Sequence, residues 1–324
     1  MQTIRTLFAI FAVWTIQIAL PTTAVAGEYD HQQDVVYGYK DGMALVMDVF
    51  IPAGKINGAG VIQVVAGGMT SNPRWTHGAV KRPSVQALLE KGYVVFAVAH
   101  SSQPKYSADE IVADISRAVR FIRHHAERFY IHPQRIGITG GSSCGQVSLY
   151  AATAPPPPNP EAEDLVDRES SGIQAVVVFF PGTDMANFGS PGTTIVQHFH
   201  SLDYRIDAAF DFHRWDNETK RFERVIDPEL RLEIFRQNSP IAHVNAGDPP
   251  VLLFHGDRDK LVPIQQSRLF VERLKEAGIP HKLIVAEGEG HGWKLPLENQ
   301  FEEITGWFDR YLLPGVKGAE FNHK

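Results

Sequence analysis

Between Arg135 and Gln146 the chain reads Arg-Ile-Gly-Ile-Thr-Gly-Gly-Ser-Ser-Cys-Gly-Gln. Residues 135–139 read as a short buried strand and residues 146–153 as the start of a helix. Only glycines, two serines and a cysteine lie between them to reverse the chain. A turn that sharp needs small neighbours and residues that tolerate unusual dihedrals. It lifts one Ser hydroxyl above a sheet edge, at a helix N-terminus. There a base can reach the hydroxyl, and backbone N–H groups can face a developing oxyanion. Two registers are open. A strict Gly-x-Ser-x-Gly match runs from Gly141 to Gly145 and centres on Ser143. Moved back by one residue, the pattern centres on Ser142 and puts Cys144 in the last glycine position.

The remaining chain supplies a frame for such a turn. Residues 35–39 and 44–51 read as an antiparallel pair joined at Asp41-Gly42, a hairpin signal. Apolar runs at 61–65, 93–99, 175–180 and 251–254 read as buried strands, and 282–286 as the last one. Between them, residues 84–91 read as a helix stopping at Gly92, and 264–277 as one stopping at Gly278. Ser107 and Glu110 form a capping box ahead of a helix with Ile111, Ile115, Ala118, Val119 and Ile122 on one face. Residues 297–312 read as an amphipathic terminal helix. Strands without a polar face, alternating with helices, imply a mostly parallel sheet covered on both sides. Ligands of such sheets bind at the carboxyl ends of the strands. Residues 182–245 are rich in aromatics, His and charge. They show no clean strand and one helical stretch, at 228–235.

The stretch from Arg135 to Gln146 resembles, without a gap, the elbow of the acetyl-esterase and feruloyl-esterase-like (BD-FAE-like) branch of the α/β-hydrolases. The usual form there is R-[IL]-G-V-x-G-G-S-[AS]-G-G-H, so Cys144 and Gln146 are departures. In that register Ser142 is the nucleophile, with Ser143 the alternative that the strict motif names. His255-Gly-Asp-Arg-Asp259 with Val262-Pro263 is similar to the family's H-G-D-x-D-x-x-V-P loop, which makes Asp259 the orienting acid. Asp257 is then left to hold the loop by bonding backbone N–H groups. Gly288-Glu-Gly-His-Gly292 is similar to the family's G-x-G-H-G site, which makes His291 the base, 32 residues beyond Asp259. Ala66-Gly67-Gly68-Met69 sits where these esterases carry H-G-G-G or S-G-G-W. The backbone N–H groups of Gly68, Met69 and Ser143 are thereby implied as the oxyanion hole. The absent His at position 66 means that the loop is braced differently.

The resemblance implies an α/β-hydrolase fold with residues 182–245 as a cap over the site. It also implies a serine esterase for short acyl groups, acetyl or feruloyl, on a small molecule or polysaccharide, with no cofactor. Arg74-Trp75, Tyr106, His198, Phe199, His200, Phe212, His213 and Trp215 are candidates for pocket walls. His198-x-His200 lacks a third ligand, so no metal is expected. A prolyl-oligopeptidase-type peptidase shares this fold but usually carries a large propeller ahead of it. Dienelactone hydrolases use Cys, whereas Cys144 lies two residues past Ser142 on the helix side. A non-catalytic binding protein of the same fold would be marked by loss of Ser, Asp or His, and all three are present.

Arg5, the apolar stretch 7–20 and Ala24-Val25-Ala26 read as a signal peptide over residues 1–26, with a mature chain from Gly27. That predicts a secreted or periplasmic protein without stable membrane insertion after cleavage. Loss of Arg5 takes the formal charge from −6 to −7, mild and mixed in sign, which argues against a nucleic-acid partner. Residues 27–324 then form one large domain. The single cysteine allows no intrachain disulfide, so stability rests on a packed core, for which 44% apolar residues is ordinary.

Overall fold

The computed structural model describes residues 29–293 and 296–315; the expected signal peptide lies outside them. The first half runs β1 (Tyr29–Lys40), β2 (Met43–Pro52), β3 (Gly60–Val64), α1 (Pro73–His77), α2 (Pro83–Glu90), β4 (Val94–Val98), α3 (Ala108–His124), β5 (Ile136–Gly141) and α4 (Ser143–Thr153). The second half runs β6 (Ala175–Phe179), α5 (Ile195–Ser201), β7 (His213–Asp216), β8 (Arg221–Arg224), α6 (Pro228–Gln237), β9 (Val251–Gly256), α7 (Gln265–Glu276), β10 (His281–Ala286) and α8 (Gln300–Leu312).

One eight-stranded sheet has the order β1-β2-β4-β3-β5-β6-β9-β10. The β1–β2 and β2–β4 pairings are antiparallel, and every later pairing is parallel. The hairpin between β1 and β2 turns on Asp41 and Gly42, both with positive φ, as a type I′ turn requires. Along the central strands alternate residues enter two different cores. Ile62, Val64, Phe96, Val98, Val176, Val178 and Leu253 pack on one side, with Ile111 and Ile115 of α3 and Phe270 of α7. Val61, Val95, Ala97, Val177, Leu252 and Phe254 pack on the other, with Leu88 of α2 and Ile304 and Phe308 of α8. This period-two partition is why the strands read as continuous apolar runs. Gly137 lets α8 come close, since a Cβ there would lie 2.6 Å from the Phe308 ring.

The strand order reverses at β3, whose parallel neighbours are β4 on one side and β5 on the other. The loops leaving β3 and β5 therefore open into the same crevice, the usual ligand position of an open α/β sheet. Residues 182–245 hold more structure than their sequence suggests. Besides α6 they form α5 and a separate two-stranded hairpin, β7–β8. The expectation of no strand there is corrected: Trp215 and Phe222 face each other across that hairpin, with ring centroids 5.3 Å apart.

Candidate active site

β5 delivers the chain to Ser142, which has φ 56° and ψ −125° before α4 starts at Ser143. For a residue with a Cβ this conformation costs roughly 1–3 kcal/mol and persists only where its surroundings enforce it. Ser142 N–H donates to Phe179 O (2.9 Å), and Gln146 N–H donates to Ser142 O (3.0 Å). Two glycines make the approach possible. A Cβ on Gly140 would lie 2.7 Å from the Cys144 backbone, and one on Gly145 would lie 3.1 Å from the Pro181 ring. Only the register centred on Ser142 presents a side chain at the strained position. Ser143 is the first helical residue, and its Oγ is buried with no hydrogen-bond partner among the described residues.

The loops after β9 and β10 bring the other two groups to Ser142. Arg258 N–H donates to Glu289 O (2.9 Å), and Gly288 N–H donates to the Asp257 carboxylate (2.7 Å). Asp257 is thus the loop tie read from the sequence. A Cβ at Gly256 would lie 2.4 Å from Glu289 O, so only glycine allows the two loops to pack. His291 lies between Asp259 and Ser142. A carboxylate can only accept, so His291 Nδ1–H donates to Asp259 Oδ2 (2.7 Å). That leaves Nε2 free to accept from the Ser142 hydroxyl (2.9 Å). Asp259 is buried, which pushes its carboxyl pKa up. The His255 ring beside it, with hydrogen bonds from His291 and the Val262 N–H, outweighs burial and holds it at about 2. Leu261 and Val262 N–H groups both reach Oδ1 at 2.9 Å.

Two residues near the site carried no role in the sequence reading. His255 is fully buried, donates from Nε2 to Val262 O (2.8 Å), accepts from Ser267 Oγ (2.7 Å) and lies 3.5 Å from Asp259 Oδ2. It sets the curve of the loop that carries Asp259. Phe180 has φ 38°, another strained non-glycine residue, and its ring lies 4.6 Å from the His291 ring with Trp293 edge-on behind it. The Phe-Phe-Pro-Gly run from Phe179 to Gly182 was the available signal for a sharp turn there.

The loop after β3 forms the facing wall. Gly67 and Thr70 exchange backbone hydrogen bonds of 2.9 and 3.0 Å around Gly68 and Met69, which both have positive φ. The N–H groups of Gly68, Met69 and Ser143 find no acceptor among the described residues. All three residues border one cavity with Ser142, of about 60 Å³. Its remaining walls are mostly apolar side chains of the insertion, among them Phe188, Ile195, Phe199, Ile206 and Phe210. Of the wall candidates read from the sequence, Phe199 is there. Trp75 and Trp215 are exposed, and Tyr106 is buried beside Lys40. His198 Nε2–H donates to Lys260 O, and His200 pairs with Asp207 on the surface. Among the described residues, one group is spaced to share a cation: Asp34, Asp48 and His77. Its buried member Asp48 already accepts from His31, Thr76 and the Asp34 N–H.

A parallel sheet that reverses at β3, with a serine on the strained turn after β5 and an acid and a histidine on the loops after β9 and β10, defines an α/β-hydrolase fold. The chain belongs to the BD-FAE family, whose model matches residues 47–274; a TAP-like protein model matches residues 234–316. It is 26% identical over 257 residues to the probable carboxylic ester hydrolase LipM of Mycobacterium tuberculosis, covering 77% of this chain and 53% of the relative. It is 27% identical over 275 residues to esterase LipC of the same organism, covering 82% and 61%. The chain thus spans between half and two thirds of the length of these relatives. A truncated carbohydrate esterase from gut microbiota superposes with TM-score 0.68 at 22% identity, covering 88% of this chain and 98% of that one. Propionate-bound esterase 2 of Thermogutta terrifontis gives 0.63 at 24%, covering 88% and 96%. At these identities the structural likeness establishes the fold.

Proposed function

We propose that the chain is a serine hydrolase that cleaves short-chain carboxylic esters through an acyl-enzyme. The observation that carries this is the hydrogen-bonded series Ser142–His291–Asp259, ending at a cavity bordered by Gly68, Met69 and Ser143, whose N–H groups have no acceptor among the described residues. Ser142 Oγ attacks the ester carbonyl carbon while its proton passes to His291 Nε2. The imidazolium is stabilised by Asp259, and the oxyanion accepts from Gly68, Met69 and Ser143 N–H. Collapse breaks the bond to the alcohol oxygen, which takes the proton from His291. Water then attacks the acyl carbon as His291 Nε2 takes its proton; the bond to Ser142 Oγ breaks, Oγ takes that proton back and the acid leaves. The names of LipM and LipC support the reaction class, and the gut carbohydrate esterase is in keeping with acyl groups carried on carbohydrate. The mostly apolar lining of the cavity beside Ser142 suits the hydrocarbon part of an acyl group rather than a charged one.

Hydrolysis of p-nitrophenyl acetate, butyrate and octanoate by wild type, Ser142→Ala and Ser143→Ala tests this reading. Ser142→Ala is expected to lower kcat by roughly 10⁴-fold or more. Ser143→Ala keeps the backbone donor and is expected to stay within about tenfold of wild type. A dead Ser143→Ala beside an active Ser142→Ala would reject the register.

We further propose that the chain is exported and cut after Ala26. In support, Arg5, the apolar stretch 7–20 and Ala24-Val25-Ala26 follow one another in the order of a cleavable export signal. The intact mass of the protein recovered from the periplasm or medium is expected to match a chain starting at Gly27. A cell-associated protein of full-length mass would refute export.

A further inference from the structure

The turn that carries two of the three oxyanion donors is in the less expected of two states. With Gly68 at φ 56° and Met69 at φ 62°, it is a type I′ turn. A two-residue loop of the form Gly-X favours type II′, which keeps the glycine at positive φ and returns X to about −80°. The two states differ by a flip of one peptide plane, the one joining Gly68 to Met69. A peptide is planar and trans, so its C=O and N–H point in opposite directions. In the observed state Gly68 O is taken by Gln103, and Met69, which borders the cavity with Ser142, has its N–H without an acceptor among the described residues. In the flipped state Gly68 O would face that cavity and repel an oxyanion.

The observed state therefore needs something that grips Gly68 O. The Gln103 side chain does so: its Nε2–H donates to Gly68 O at 2.5 Å. Its backbone N–H donates to Met69 O (3.1 Å), which fixes the next peptide as well. The Gly68 N–H is fixed by the same logic, because Gly67 O on its peptide accepts from Thr70 N–H. Gln103 lies on the loop after β4. That loop is clamped to the oxyanion loop through Ser102 Oγ, which accepts from Ser71 N–H (2.8 Å) and donates to Ser71 O (2.9 Å).

We propose that Gln103 is a positioning residue: its side-chain amide holds the Gly68–Met69 peptide in the orientation that aims Met69 N–H at the oxyanion. This rests on the esterase reading and adds to it the element that forms the hole. Gln103→Met keeps the volume and removes the donor. Its kcat on p-nitrophenyl acetate is expected to fall about 10²-fold, the usual cost of one lost oxyanion donor. KM should move less than about threefold, and the Ki of phenylboronic acid, whose Ser adduct places an anionic oxygen in the hole, should rise in step with the loss of kcat/KM. Gln103→Lys keeps a donor and is expected to recover part of both. Gln103 is half-buried beside exposed Pro104 and Lys105, so both variants keep the fold. A Gln103→Met enzyme with kcat within about threefold of wild type and unchanged boronate inhibition would overturn the proposal alone. Wild type that turns over no ester and binds no boronate would overturn the esterase reading and this inference with it.

Discussion

Asp259 is the residue whose environment is most strongly expressed in its chemistry. Its carboxyl is held at about 2 when folded, against about 4 in an unfolded chain. A depressed acid favours the folded state where it is ionised in both forms, so the contribution is complete above about pH 4. It is lost as pH falls from about 4 to 2 and is worth about 2 kcal/mol. Asp259→Asn is therefore expected to be less stable than wild type by about that amount in urea at pH 6, with the gap closing towards pH 2. A gap independent of pH would mean that the loss is packing alone. The same variant should lose about 10⁴-fold in kcat, since an amide facing Nδ1 selects the wrong His291 tautomer. Cys144 shows what single residues conceal in sequence. Alone, it is a departure from the glycine of the family elbow, and Ala66 is a separate departure from the family His. In the fold the Cys144 thiol donates to Ala66 O at 3.2 Å, so the two departures meet. Burial pushes that thiol up to about 11, which keeps it neutral and leaves it no role as a nucleophile.

Elements were legible where one local rule decides them. The capping box at Ser107 opens α3 with Glu110 accepting from the Ser107 N–H at 2.9 Å, and Gly92 and Gly278 end α2 and α7 with positive φ. The central strands were readable because both of their faces are buried. The reversal after β5 is tighter than periodicity suggests. β5 runs on to Gly141 and α4 starts at Ser143, because the whole change of direction falls on Ser142. β1 begins six residues earlier than its alternation shows, since register shifts between Gln32 and Val35 and between Val36 and Gly38 break the pattern. The insertion was least legible for a different reason. α5 has 7 residues and each strand of the β7–β8 hairpin has 4, too short to be stable on local interactions. Their anchors are distant in sequence, as where Thr183 N–H reaches the Gln266 side chain (2.8 Å) and Met185 N–H reaches Ser239 Oγ (2.8 Å). The Thr194–Gln197 capping box was a local signal for α5, as Asp227 and Pro228 were for α6.

At the scale of the molecule, the proposed reaction draws its chemistry and its selection from different parts of the chain. The sheet and its carboxyl-end loops hold Ser142, Asp259, His291 and the proposed oxyanion donors, all in stretches with recognisable local patterns. The insertion supplies most of the apolar wall, with Phe188, Phe199 and Phe210 from a stretch without one. A wall built this way can change without disturbing the groups that react. In the proposed esterase, shortening one wall ring should shift chain-length preference, because each methylene admitted to an apolar site is worth about 1–3 kcal/mol. Phe199→Leu or Phe210→Leu is expected to raise the ratio of kcat/KM for butyrate over acetate by about tenfold, with fluorophosphonate still labelling Ser142. If the ratio stays within about twofold while labelling persists, the acyl chain does not enter this cavity, and the aromatic wall faces the alcohol side of the ester instead.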